Sequence, residues 1–137
     1  MARCTGILLL LCLLSPAPAS GLEGSTQDAE PISVTDFRGK ELVFPRPVSR
    51  IVCLIESALS GLYMLGAEGL VVGISRNVYT DPVYRYYASM DARIRARELP
   101  APGNWDFVSL ESVVSLRPDL VILWAEQTEA IASLEQR

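Results

Sequence analysis

With 137 residues, half of them hydrophobic and a fifth charged, the chain can build one domain with its own core but not two ordinary ones. A net charge of −4, with few and scattered arginines and lysines, excludes a nucleic-acid partner, because phosphate binding needs clustered cations. The chain has no histidine, which removes the Ser–His and Cys–His nucleophile pairs and the usual zinc sites together.

Residues 1–19 read as a secretory signal peptide. Arg3 gives a positive start, Ile7 to Leu14 is an unbroken apolar run, and Ala17-Pro18-Ala19 offers small residues for cleavage. The run is well short of the ~20 residues that span a bilayer. Leu10 and Leu11 before Cys12 are too bulky for a lipoprotein cleavage box. The expected location is therefore periplasmic, or otherwise extracytoplasmic. Cleavage would leave Cys53 alone, so no internal disulfide is expected. Cys53 sits within Ile51 to Ile55, where burial raises a thiol's pKa and keeps it inert.

Residues 20–31 are small, polar and acidic, and read as a flexible leader. The β-branched alternation of Ile32 to Phe37, the turn Arg38-Gly39-Lys40 and the stretch Glu41 to Phe44 predict a β-hairpin. Pro45 and Pro47 stiffen the entry to a buried strand over Ile51 to Ile55. Ser57 is placed to cap a helix whose Ala58, Leu59, Leu62 and Tyr63 share a face, and Gly66 ends it. A strand over Leu70 to Ile74 completes a βαβ unit, which implies parallel pairing.

Asp81-Pro82 predicts a helix start leading through Tyr84, Tyr86 and Tyr87, three rings expected to pack half-buried. Asp91 to Ala96 reads as another helical turn, with Arg93, Arg95 and Arg97 on a solvated face. Leu99 to Gly103 is a stiff loop leading to Asn104 and Trp105. Ser109 can cap a helix with Leu110, Val113 and Val114 on one face, and Pro118 stops it. Leu120 to Leu123 is an apolar run, as in a strand covered on both faces. Trp124 stands where that strand ends, at the sheet edge where open α/β sheets hold ligands. Glu126 to Arg137 is helical in composition, with Ala130, Ile131 and Leu134 on one face. A parallel sheet rarely ends on a half-finished crossover, so the chain is expected to be the front part of something longer.

The series Arg50-Ile51-Val52, Ser57-Ala58, Leu65-Gly66-Ala67, Val72-Gly73-Ile74-Ser75, Glu111 and Arg117-Pro118-Asp119-Leu120-Val121-Ile122 resembles the N-terminal lobe of class III periplasmic substrate-binding proteins. These serve ABC importers of ferric siderophores, haem, cobalamin and related metal complexes. The resemblance covers residues 32–137. It implies a three-layer, Rossmann-like α/β lobe with a mostly parallel sheet and an N-terminal hairpin, without the family's second lobe and linking helix.

The resemblance also implies roles for individual residues. Glu111 matches a surface glutamate that docks on the permease. Trp105 and Trp124 match aromatic walls against the ligand, and Arg76, Asn77 and Tyr79 lie on a loop that lines the cleft. Glu56 and Ser57 occupy another cleft loop, although the family usually has Ser-Pro where this chain has Ile55-Glu56, and Thr-Glu within the helix where it has Leu59-Ser60. The implied partners are a metal-chelate ligand and the importer's permease. The protein is expected to be a monomer, not an enzyme, with no cofactor or bound metal of its own.

The residues leave rival readings. Trp105 could pack its own loop and Trp124 the core. Glu111 could simply favour a helix start, where an acid contributes ~0.3–1 kcal/mol. An oxyanion such as molybdate could sit on backbone N–H groups at helix starts near Ser57 and Asn104. An exported α/β enzyme could use Glu56 or Asp106 as a general base. The chain could also be an inert truncation product.

Overall fold

The structure, a computed structural model, describes residues 30–137. The expected signal peptide and nearly all of the leader lie outside the described residues. The hairpin forms as expected: β1 (Ile32–Thr35) pairs antiparallel with β2 (Glu41–Phe44). Its turn closes on Asp36, whose carboxylate accepts the backbone N–H groups of Arg38 and Lys40.

Three parallel strands form the main sheet in the order β4–β3–β5, with β3 at Ile51–Cys53, β4 at Val71–Ile74 and β5 at Leu120–Ile122. Asp119 fixes the register of β5 on β3. Its carboxylate accepts the backbone N–H groups of Ser49 and Arg50 and the Ser49 hydroxyl, and its own backbone N–H donates to the Arg50 carbonyl. The aspartate of the Pro118-Asp119-Leu120 string is therefore a strand-entry clamp. Partial burial raises its pKa, but these donors outweigh that and hold it below the ordinary carboxylate value.

Alternation along the strands sorts the core into two layers. Ile51, Cys53, Leu120 and Ile122 face α1 (Glu56–Met64), α2 (Val83–Met90) and α3 (Ala92–Arg95). Val52, Leu54, Val121 and Leu123 face α4 (Leu110–Ser115) and α5 (Thr128–Glu135) through Val113, Leu116 and Leu134. The result is the three-layer α/β arrangement that the resemblance implies. Burying an aliphatic such as Leu54, Leu59 or Val113 completely contributes about 1.5–3 kcal/mol.

The helix ends follow their sequence signals, with one exception. Gly66 (φ +68°) closes α1 by donating to the Tyr63 carbonyl, while Ala67 donates to Leu62. Ser109 caps α4 by accepting the Ser112 N–H, and Asp91 caps α3 by accepting the Arg93 N–H. Ser57 does not cap α1. The helix begins at Glu56 with Ile55 as N-cap and no side-chain cap, so Ser57 lies exposed inside the first turn.

Three further expectations change. Val114 is exposed, because α4 is too short to bury more than Val113 deeply. Among the described residues β5 is an edge strand, and it is half-buried rather than covered on both sides. The arginines of 93–97 are not a uniformly solvated face. Arg93 pairs with Asp91 at 2.7 Å and donates to the carbonyls of Glu68 and Val71, while the Arg97 guanidinium lies 4.7 Å from the Tyr84 ring centre and 5.1 Å from that of Tyr79.

Candidate functional site

Because β3, β4 and β5 run parallel, their C-terminal ends lie along one edge. Three loops leave it: Leu54 to Glu56, Ser75 to Tyr79, and Leu123 to Gln127. A fourth segment joins them from outside the sheet. Residues 100–104 run beside the end of β4, where Ile74 N–H donates to the Pro100 carbonyl and Arg76 N–H to that of Gly103. The same segment then doubles back as a tight turn. Asn104 N–H donates to the Phe107 carbonyl, and its side-chain oxygen accepts from the Asp106 and Phe107 N–H groups. Gly103 permits the turn, since a Cβ there would lie 2.4 Å from the Phe107 carbonyl oxygen.

Between this turn and the start of α5 lies an open groove of about 870 Å³. Trp105, Phe107, Val108 and Leu110 line one side, and Trp124, Gln127, Ala130 and Ser133 the other. Trp105 is 60% exposed and Trp124 40%, so neither indole is spent on the core. The charged residues lining the groove are Asp106, Glu126 and Glu129, with no cation among the described residues that line it.

A chain of hydrogen bonds runs along the edge towards this groove. The Ser75 hydroxyl donates to the Glu56 carboxylate (2.6 Å), and Asn77 N–H donates to the Ser75 oxygen. The Asn104 amide donates to the Asn77 side-chain oxygen at 3.3 Å. The Gln127 amide nitrogen then donates to the carbonyls of Asn104 (2.9 Å) and Trp105 (3.2 Å), while its oxygen accepts the Trp124 N–H. Gln127 went unnoticed in the sequence. Two of its partners lie 22 and 23 residues away, and no local pattern marks a glutamine for that task.

The predicted site residues thus separate. Trp105 and Trp124 both line the groove. Glu56 and Asn77 belong to the network behind it, and Arg76 is exposed on the same loop. Tyr79 turns inward: its hydroxyl donates to the Leu99 carbonyl and its ring packs against the core. Ser57 is exposed beyond the end of β3. Glu111 is exposed in the first turn of α4 and does not line the groove. The expected oxyanion seat at Asn104 fails, because no helix starts there and the Asn104 side chain already satisfies the neighbouring N–H groups. At the other expected seat, the first turn of α1 carries the Glu56 carboxylate. Burial pushes the Cys53 thiol up to about 11, as expected for an inert cysteine. Among the described residues no group of His, Cys, Asp and Glu is placed to hold a bare metal ion.

No family model matches the chain. Among curated proteins it is 26% identical to the iron(3+)-hydroxamate-binding protein FhuD of Bacillus subtilis, over 95% of this chain and 38% of that protein. It is 28% identical to the molybdate-binding protein MolA of Haemophilus influenzae, over 85% of this chain and 30% of that protein. Solved structures superpose at the same scale. MolA bound to molybdate matches with a TM-score of 0.62 and 22% identity over 75% of this chain and 32% of that one. The heme-binding protein HmuT matches with a TM-score of 0.57 and 22% identity over 84% and 34%. The chain shares its fold with about a third of each of these periplasmic binding proteins. The chain spans about a third of the length of the relatives it matches. The groove lies at the carboxyl edge of the parallel sheet, where open α/β sheets hold ligands.

Proposed function

We propose that the chain is a ligand-capturing lobe of an extracytoplasmic substrate-binding protein serving an ABC importer, and that its cargo is an iron–siderophore, haem or cobalamin-type metal complex. The observation that carries this is the pair of exposed indoles flanking one groove at the sheet's carboxyl edge. Such complexes present broad apolar faces with polar edges, and an indole offers large contact area at little entropic cost. Stacking on Trp105 and Trp124 captures the ligand and Glu111 docks the lobe on the permease. No bond in the ligand is made or broken.

The relatives bind ligands of different chemistry, ferric hydroxamate for FhuD and molybdate for MolA. The groove's charges favour the first kind. Asp106, Glu126 and Glu129 repel a small oxyanion, and no cation among the described lining residues answers it. The test is titration of the full chain with a ferric trihydroxamate, haemin, cyanocobalamin and molybdate, read by tryptophan fluorescence. Quenching by at least one of the first three, not competed by molybdate, is the expected result. Quenching by molybdate alone, or by none, would overturn the reading.

A further inference from the structure

We infer that Gln127 is the positioning residue that sets the separation of the two indole walls, a role that rests on the reading of the groove above. Beside the packing of α4 on α5, its side chain supplies the hydrogen bonds seen among the described residues between the turn that carries Trp105 and the segment that carries Trp124. The amide nitrogen holds the carbonyls of Asn104 and Trp105, and the amide oxygen holds the Trp124 N–H. One planar group therefore fixes the backbone beneath both rings. A glutamine reaches both sides because its two amide ends donate and accept in opposite directions.

The position of Gln127 in the fold strengthens the assignment. It is the N-cap residue of α5, where Ser, Thr, Asp or Asn would ordinarily satisfy the first free N–H groups of the helix. The Gln127 side chain makes no capping bond. The helix forgoes a cap at this position while the side chain spans the groove floor. A residue chosen for the helix alone would be a short capping one.

That conflict supplies the test. Gln127→Ser offers α5 a better cap and removes the bridge, so a purely structural role and a positioning role give opposite results. The chain has only two tryptophans, so Trp105→Phe and Trp124→Phe backgrounds report each indole separately. In the full chain we expect Gln127→Ser to hold or raise the melting temperature. It should also change the near-UV circular dichroism and raise iodide quenching of both indoles. Gln127→Glu keeps the acceptor for Trp124 N–H but sets a carboxylate against two carbonyls. It should therefore disturb Trp105 and leave Trp124 in place.

With whichever chelate of the panel quenches the parent, Gln127→Ser should weaken binding about tenfold, the scale of one or two lost hydrogen bonds. Unchanged indole spectra in Gln127→Ser, or equal disturbance of both indoles in Gln127→Glu, would overturn the assignment. The spectra need no ligand, so they decide the role of Gln127 even if no chelate binds and the functional reading fails.

Discussion

Trp105 owes its place to a glycine two residues before it. The turn from Gly103 to Val108 is so tight that an added methyl at Gly103 would also lie 2.9 Å from the Val108 Cα, against backbone that cannot swing aside like a side-chain tip. Gly103→Ala should therefore destabilise the chain by about 1–3 kcal/mol, as overpacking does, and shift the emission of Trp105 while sparing that of Trp124. A thermal melt and the fluorescence of the Trp124→Phe background would measure both effects; an unmoved Trp105 would mean that the turn does not position the ring. Sequence reading reached both tryptophans, since an aromatic in a polar loop and another at a strand end are visible by position alone. It placed Tyr79 on the cleft loop without its inward hydroxyl, which donates to Leu99 twenty residues on, and passed over Gln127, because those partners are set by tertiary placement.

Among the elements, those with local punctuation were legible. Gly66, Ser109, Pro118 and the Arg38-Gly39-Lys40 turn each act within a few residues, and each ended or began its element as expected. Arg117, the residue beyond the C-cap of α4, takes up φ +47°, the left-handed position at which helices commonly end, directly before Pro118. What could not be read was how elements are tied to one another. Asp91 is the main case, because it caps α3, accepts the Tyr63 hydroxyl from α1 and pairs with Arg93, which in turn reaches the carbonyl of Val71 at the start of β4. Burial alone would raise the Asp91 pKa, but these donors prevail and hold it at about 2. Because the folded pKa is depressed, the unfolded chain takes up the proton first, so the stability Asp91 contributes is present above pH ~4 and is lost as pH falls towards ~2. That contribution is on the order of 2 kcal/mol. Urea melts from pH 6 downwards should show Asp91→Asn less stable by that order, with the gap to the parent closing in acid. A gap that persists unchanged below pH 3 would remove Asp91 from this role.

At the scale of the whole molecule, charge and shape point the same way. The chain carries a net −4, and the groove's lining charges are all acidic among the described residues, so the local field reinforces the global one. The groove is open to water. Exposed charges therefore act through solvent and are screened by salt. The consequence can be measured with chelates of one size and different charge. Between ~0.01 M and ~1 M salt the screening length falls from roughly 30 Å to roughly 3 Å. Over that range a cationic ferric chelate should lose affinity, an anionic one should gain, and a neutral one should hold nearly constant because stacking on the indoles is not screened. Glu126→Gln with Glu129→Gln should flatten both slopes without changing the neutral chelate's affinity. If the anionic chelate instead binds best at low salt, the cations that receive it lie outside the groove's acidic lining, with exposed Arg76 on the neighbouring loop the first candidate.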